Sequence, residues 1–116
     1  MTIKVSKNDN DVYLIKLLGI MDLSVSTELK DIVMKIIRNR VERLVINLKG
    51  VEGVDSSGIG ALLNIFSTLK KLNCPLVIIA PEGPVMQALE ANRIKSYFAI
   101  AGSLKEASLL TRDELH

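Results

Sequence analysis

Tryptophan is absent from this chain of 116 residues, and aromatic residues of any kind make up only 3% of it. A core must therefore be aliphatic, and the surface has few flat platforms on which unpaired bases could stack, which disfavours nucleic acid as a direct partner. Cysteine is nearly missing too: Cys74 stands alone, which excludes an internal disulfide and any multi-cysteine metal site, and in its apolar stretch before Pro75 it reads as a small buried hydrophobe. The one histidine is His116, the last residue, so nothing is placed to act as a general base inside a folded site, and most hydrolase chemistry is removed. An excess of one charge is lacking as well. Fifteen basic against 13 acidic side chains give +2, which points to neither a polyanion partner nor an acidic tail. No apolar run reaches membrane-spanning length, and Met1-Thr2-Ile3-Lys4-Val5-Ser6-Lys7 alternates instead of carrying the hydrophobic stretch of a signal peptide. A soluble, cytoplasmic protein without membrane attachment is expected.

What the chain does have is aliphatic side chain, with 48% hydrophobic residues in a length that suits one domain and is too short for two. Ile3 and Val5 alternate with polar residues, Asn8-Asp9-Asn10-Asp11 reads as a turn, and Val12 to Leu18 resumes as a strand, which predicts a β-hairpin. Gly19 is expected to end that strand. Ile20-Met21-Asp22 leads outward, and Ser24 is the expected N-cap of a helix carrying Leu29, Ile32, Val33, Ile36 and Ile37 at helical spacing. Lys35, Arg38, Arg40 and Arg43 gather around the end of that helix with no aromatic residues between them, so a solvated helix terminus accounts for them better than a nucleic-acid patch.

Leu44-Val45-Ile46-Asn47-Leu48 has the near-continuous hydrophobicity of a parallel strand covered on both faces, and Gly50 and Gly53 are expected to break the chain after it. The next helix carries Ile59, Leu62, Leu63, Phe66, Leu69 and Leu72 as its apolar stripe, with Gly58, Gly60 and Ala61 allowing close approach in its first turns. Leu76 to Ala80 reads as a second buried strand, Pro84 suits the first turn of a helix with Val85, Ala88 and Leu89, and Tyr97-Phe98-Ala99 reads as a short edge strand. Ser103-Leu104-Lys105-Glu106 has the capping-box spacing for a final helix holding Leu104, Ala107, Leu109 and Leu110. The order β-β-α-β-α-β-α-β-α predicts an α/β fold: one domain over residues 1–112, a mixed sheet with an N-terminal antiparallel hairpin and parallel β-α-β units, about four helices packed against it, and a frayed tail at 113–116.

Asp55-Ser56-Ser57-Gly58-Ile59-Gly60 falls between the strand and the second helix, which puts two adjacent hydroxyls at a helix N-terminus, where unpaired N–H groups and the helix dipole favour an anion. Asp55 would repel a ligand that arrives already phosphorylated, but it does not stop an enzyme from building a phosphate onto one of the hydroxyls. Known phosphate-binding and catalytic templates do not fit. Gly53-Val54-Asp55-Ser56-Ser57-Gly58 supplies the outer glycines of a P-loop, yet Ile59-Gly60 stands where lysine and then serine or threonine are needed. Leu63 occupies the third glycine position of a dinucleotide fingerprint, and Ser56 is not in a Gly-x-Ser-x-Gly elbow. What remains is a serine that is acted upon. Asp55, Ser56 or Ser57 also reads simply as a helix cap, and Asp22 as a polar loop residue ahead of Ser24.

The run Asp55-Ser56-Ser57-Gly58-Ile59-Gly60 after an apolar strand, together with the N-terminal hairpin and the Gly19-Ile20-Met21-Asp22 turn, resembles the STAS domains, and specifically the anti-sigma factor antagonists. Met21 stands where that family usually has a branched aliphatic residue. The resemblance implies a STAS-type fold and a switch in place of a catalyst. It implies that Ser56 is phosphorylated by an anti-sigma factor with ATP-dependent serine kinase activity. The unmodified protein would bind that partner and free the sigma factor, and a metal-dependent serine phosphatase would restore the unmodified state. Partner contacts are expected from Asp22, Asp55, Ser56, Ser57, Gly58 and Ile59, with no cofactor and no metal of the chain's own. A phosphoserine adds about −1.5 to −2 charge beside Asp55, and losing only about 3 kcal/mol of binding lowers affinity more than a hundredfold. A constitutive scaffold subunit with the same fold, in a stress-sensing or lipid-transport assembly, is the competing expectation. A small-nucleotide sensor is a third, held back by the missing phosphate-binding cation.

Overall fold

Five strands form one sheet in the order β1-β2-β3-β4-β5. They are β1 (Thr2–Lys7), β2 (Val12–Met21), β3 (Arg43–Val54), β4 (Leu76–Ile79) and β5 (Ala99–Ala101). The computed structural model describes residues 2–80, 82–111 and 114–115. The β1–β2 pair is antiparallel and every later pairing is parallel, so the expected mixed sheet with an N-terminal hairpin is present. Local chemistry builds the hairpin turn. Asn8 Oδ1 accepts from the Asn10 and Val12 N–H groups at 2.8 and 3.1 Å, and Asp11 takes the left-handed conformation (φ 59°) that short polar side chains tolerate.

Four α-helices connect and follow the strands: α1 (Leu23–Ile36), α2 (Ser56–Lys71), α3 (Pro84–Ala91) and α4 (Leu104–Leu109). The strand side chains alternate between two unequal cores. Ile15, Leu17, Leu44, Ile46, Leu48, Leu76 and Ile78 join Leu29 and Val33 of α1, Leu62, Ile65 and Leu69 of α2, and Leu89 of α3 in one large aliphatic cluster. On the opposite face Val45, Val77, Ile79, Ala99 and Ala101 pack, among the described residues, against Ala107 of α4 and partly buried neighbours such as Leu14 and Leu110. The main core holds the sheet and the first three helices rigid. Truncating a fully buried leucine such as Leu62 to alanine would cost about 2–5 kcal/mol.

Several expected boundaries move, each for a visible reason. Gly19 does not end β2: at φ 111° it sits in an irregularity of the β2–β3 register, and the strand continues to Met21. Nor do Gly50 and Gly53 break the chain, since β3 runs through both to Val54. A Cβ on Gly50 would collide with the Leu18 side chain, so the glycine lets the two strands stay paired where the register shifts. Asp22, not Ser24, caps α1. In α2 the buried stripe includes Ile65, whereas Leu72 lies beyond the helix and is exposed. Tyr97 closes a short 3-10 turn, Lys95–Tyr97, and the edge strand begins two residues later at Ala99.

Arg43 is not part of a solvated terminus. It is buried at the start of β3, pairs with Glu42 at 2.6 Å, and its Nη1 donates to the Ala107 carbonyl of α4 at 2.8 Å. Cys74 is half-buried. At the last helix Ser103 Oγ accepts from the Glu106 N–H at 3.1 Å, while the Glu106 carboxylate accepts from the Gly102 N–H, one residue before the cap. Leu104 and Leu109, expected inside, are exposed. The tail expected over 113–116 falls partly outside the described residues; of the two that are described, Leu115 packs against the smaller core.

Candidate functional site

β2 and β3 finish side by side, with Met21 and Val54 paired in parallel register. The next residue of each strand is an aspartate, and each aspartate caps the helix that follows. Asp22 has extended backbone (φ −113°, ψ −170°) and its Oδ1 accepts from the Val25 N–H at 3.3 Å; Asp55 has φ −98°, ψ −176°, and its Oδ1 accepts from the Gly58 N–H at 3.0 Å. Both satisfy a donor that would otherwise be orphaned at the third helical position. The Asp55 N–H donates to the Met21 carbonyl at 3.3 Å, so the two caps are held on one rigid edge where the strands stop.

Gly58 explains how tightly the second helix start is seated. A Cβ there would lie 2.7 Å from the Met21 carbonyl oxygen and 2.6 Å from Val54 Cγ2, closer than real contacts allow. Gly60 is different: a Cβ would meet nothing within 4 Å, so the close approach expected of both glycines belongs to Gly58 alone. A buried hydroxyl joins the two helix starts. Ser26 Oγ, in a side chain only 4% exposed, lies 2.8 Å from the Asp22 carbonyl and 3.1 Å from the Ser57 carbonyl, where it donates. Sequence reasoning missed Ser26, although its place one turn after Asp22, on the stripe of Leu29 and Val33, marks a polar group on the buried face.

Of the expected site residues, Asp22, Asp55 and Ser56 are exposed, Ser57 is half-buried, and Gly58 and Ile59 are buried. Any part Gly58 and Ile59 take in partner binding is through the shape of the loop. Because Asp55 performs the capping, neither serine is needed for it. Ser56 is the first residue of α2, and its hydroxyl makes no hydrogen bond among the described residues. Ser24, in the first turn of α1, instead donates to Asp22 Oδ1 at 2.8 Å. That bond, then the Val25 N–H, holds the Asp22 carboxyl below the usual carboxylate range. Ile20 and Leu23, which flank Asp22, are 58% and 67% exposed and give the aspartate an apolar rim that the sequence pattern did not reveal.

The arrangement suits a receiver. Among the described residues no group of His, Cys, Asp and Glu side chains could hold a metal ion. A phosphoryl group placed on Ser56 would lie at the positive end of the α2 dipole, which stabilises it, and near two fixed carboxylates, which sharpen the local change in potential.

The STAS domain family model matches residues 3–107. Solved structures similar to the chain include an anti-sigma factor antagonist from Mycobacterium paratuberculosis, at 20% identity and TM-score 0.81 over 92% of this chain and 90% of that one. The Bacillus cell fate determinant SpoIIAA in its phosphorylated form matches at 17% identity and TM-score 0.72, covering 92% and 96% of the two chains. A sulfate transporter family protein from Wolinella succinogenes matches at 16% identity and TM-score 0.72, covering 84% and 81%.

Proposed function

The chain belongs to the STAS domain family, and on that footing we propose that it is an anti-sigma factor antagonist whose binding is switched by phosphorylation of Ser56. The unmodified protein binds an anti-sigma factor that is also an ATP-dependent serine kinase, and so releases the sigma factor. The kinase transfers the γ-phosphoryl group of ATP to Ser56 Oγ, forming the phosphate ester and leaving ADP and a proton. The complex then separates, and a serine phosphatase hydrolyses the ester to restore the hydroxyl. The chain itself catalyses nothing in this cycle.

The observation that carries this reading is the free Ser56 hydroxyl at the start of α2, beside an Asp55 carboxylate that already does the capping. A partner surface that accepts a neutral hydroxyl there, next to Asp22 and Asp55, meets a much more negative and bulkier group after transfer. Helix stability changes little because the dipole favours the added charge, so the effect falls on binding. The phosphorylated SpoIIAA structure, on a similar fold, gives the reading a precedent.

Incubation with the cognate kinase and ATP, followed by intact-mass and peptide mass spectrometry, tests it. One phosphate on Ser56, absent from Ser56→Ala, is the expected result. An unmodified Ser56 under a kinase shown to be active on another substrate overturns the switch and leaves a constitutive scaffold role.

A further inference from the structure

The aromatic side chains so scarce in this chain are not scattered. Of two tyrosines and two phenylalanines, Phe66, Tyr97 and Phe98 meet at one place: the Phe66 and Tyr97 rings stack with centroids 6.2 Å apart, and Phe66 and Phe98 meet tilted at 5.3 Å. Two open cavities adjoin there, sharing Ser96. One, of about 570 Å³, has Phe98 and Ile100 with Arg93 and Lys95; the other, of about 430 Å³, has Phe66, Tyr97 and Lys70. The first cavity of this groove reaches β5 at Ile100, and among the described residues β5 has a strand on one side only.

The direction of the β5 backbone is readable. The Ala101 carbonyl accepts from the Ala80 N–H at 3.4 Å, toward β4. Since successive residues turn their polar groups to opposite sides, the N–H and C=O of Ile100 face away from the sheet. At the end of the same edge a carboxylate is already in use as an acceptor, that of Glu106 on the Gly102 N–H at 3.0 Å. The charge beside the groove is unbalanced. Glu90 pairs with Lys95 at 3.6 Å, Lys70 lies 5.6 Å from the centre of the Phe66 ring, and neither Lys70 nor Arg93 has a carboxylate partner among the described residues. Arg93 holds φ 57°, a conformation that the other non-glycine residues showing it, Asp11 and Asn73, adopt more readily.

We propose that the outer edge of β5 and this aromatic, cationic groove form a docking site for an extended acidic polypeptide segment of a second partner, which pairs with Ile100 as a sixth strand. Its carboxylates reach Arg93, Lys95 and Lys70, and an apolar side chain two residues from a carboxylate, and so on the same face of the added strand, lies against Phe98 and Ile100. Strand addition supplies few main-chain bonds along so short an edge, so side-chain and charge complementarity carry the affinity. The site is remote from Ser56. Phe66 and Lys70, the lining residues that share α2 with Ser56, lie ten and fourteen residues along the helix from it, roughly 15 and 21 Å at the helical rise. Both surfaces can be occupied at once.

The test is a titration of the full chain, nitrogen-15 labelled, with a capped heptapeptide that carries glutamate, phenylalanine and glutamate at positions 2, 4 and 6, so that all three share the face turned to the groove, and threonine at the positions between. Saturable amide shifts at Lys95, Phe98 and Ile100 are expected, with slower exchange of the Ile100 amide. The double variant Arg93→Glu, Lys95→Glu, whose own spectrum reports its fold, should bind about tenfold more weakly or worse. Equal binding of the same peptide with lysine for glutamate overturns the proposal, as do shifts centred on Ser56 or no saturation. If the β5 shifts arise from concentrating the chain alone, the occupant is a second copy and the proposal also fails. Because the readout involves neither kinase nor phosphate, it stands or falls apart from the Ser56 switch.

Discussion

At the start of α1 the first-turn hydroxyl, Ser24, is tied to its capping carboxylate at 2.8 Å, whereas at the start of α2 the hydroxyl of Ser56 is exposed and bonded to nothing among the described residues. The two starts are built on the same plan with the hydroxyls one place apart: Ser24 is the second residue of α1, level with Ser57, whereas Ser56 is the first of α2, level with Leu23. Each follows a parallel strand, each is capped by an aspartate through the third helical N–H, and Ser26 joins them from beneath. The difference teaches that the aspartate alone suffices as the cap of α2, which leaves the Ser56 hydroxyl without a structural task at the helix start. In α1 the serine reinforces the cap; in α2 the cap is complete without it, and the hydroxyl is left over.

The largest expected effect of breaking this contrast is on partner binding. Ser56→Asp should weaken the complex with the kinase partner by more than a hundredfold, about 3 kcal/mol, whereas Ser24→Asp should stay within about tenfold. Calorimetric titration of both variants against the same partner measures this, and equal losses would erase the distinction. Next in size is the seating of α2. Gly58→Ala forces a methyl group against the Met21 carbonyl and should destabilise the fold by about 1–3 kcal/mol in urea unfolding. Gly60→Ala, in open space, should stabilise it by about 1 kcal/mol through helix propensity. A loss at both positions would mean that the space above Gly60 is not free.

The smallest effect is in pH. Folding lowers the Asp22 pKa, so its contribution to stability is complete above the ordinary carboxylate range and is lost as pH falls through the lowered value. Asn at position 22 can still cap but cannot titrate. The stability difference between the natural chain and Asp22→Asn should therefore shrink as the medium is acidified through that range, as urea midpoints across a pH series would record. A constant difference would show that the carboxylate charge is not what strengthens the α1 start.

The element order was legible because periodicity carries it: the stripes of α1 and α2 and the apolar run Leu44–Leu48 belong to structures whose repeat differs. Boundaries at glycine were not. Gly50 lies within a strand because the Leu18 side chain of its neighbour leaves no room for a Cβ, and Gly19 because the register irregularity there needs a positive φ, tertiary demands that look locally like breaks; nothing crowds Gly53, which β3 simply runs through. At the site, the stretch from Asp55 to Gly58 announced a helix start, but choosing the cap among three polar residues required the backbone, and at α1 Ser24 was expected where Asp22 caps. Ser26 and the rim of Ile20 and Leu23 depend on which face of an element is covered. Arg43 was hidden by the company of Lys35, Arg38 and Arg40, whose solvated surroundings it does not share.

That arginine bears on how the C-terminal end of the chain behaves over time. A six-residue helix does not hold its shape alone, and α4 buries only Ala107. Its attachment therefore relies on the Arg43 guanidinium gripping the Ala107 carbonyl, and behind it lies the apolar strip of Val45, Val77, Ile79, Ala99 and Ala101. Beside that bond, among the described residues, only the Ser103 and Glu106 capping contacts and a small apolar contact around Ala107 hold α4 to the face opposite α1 and α2, so its amides should be among the first to exchange with solvent when the domain breathes.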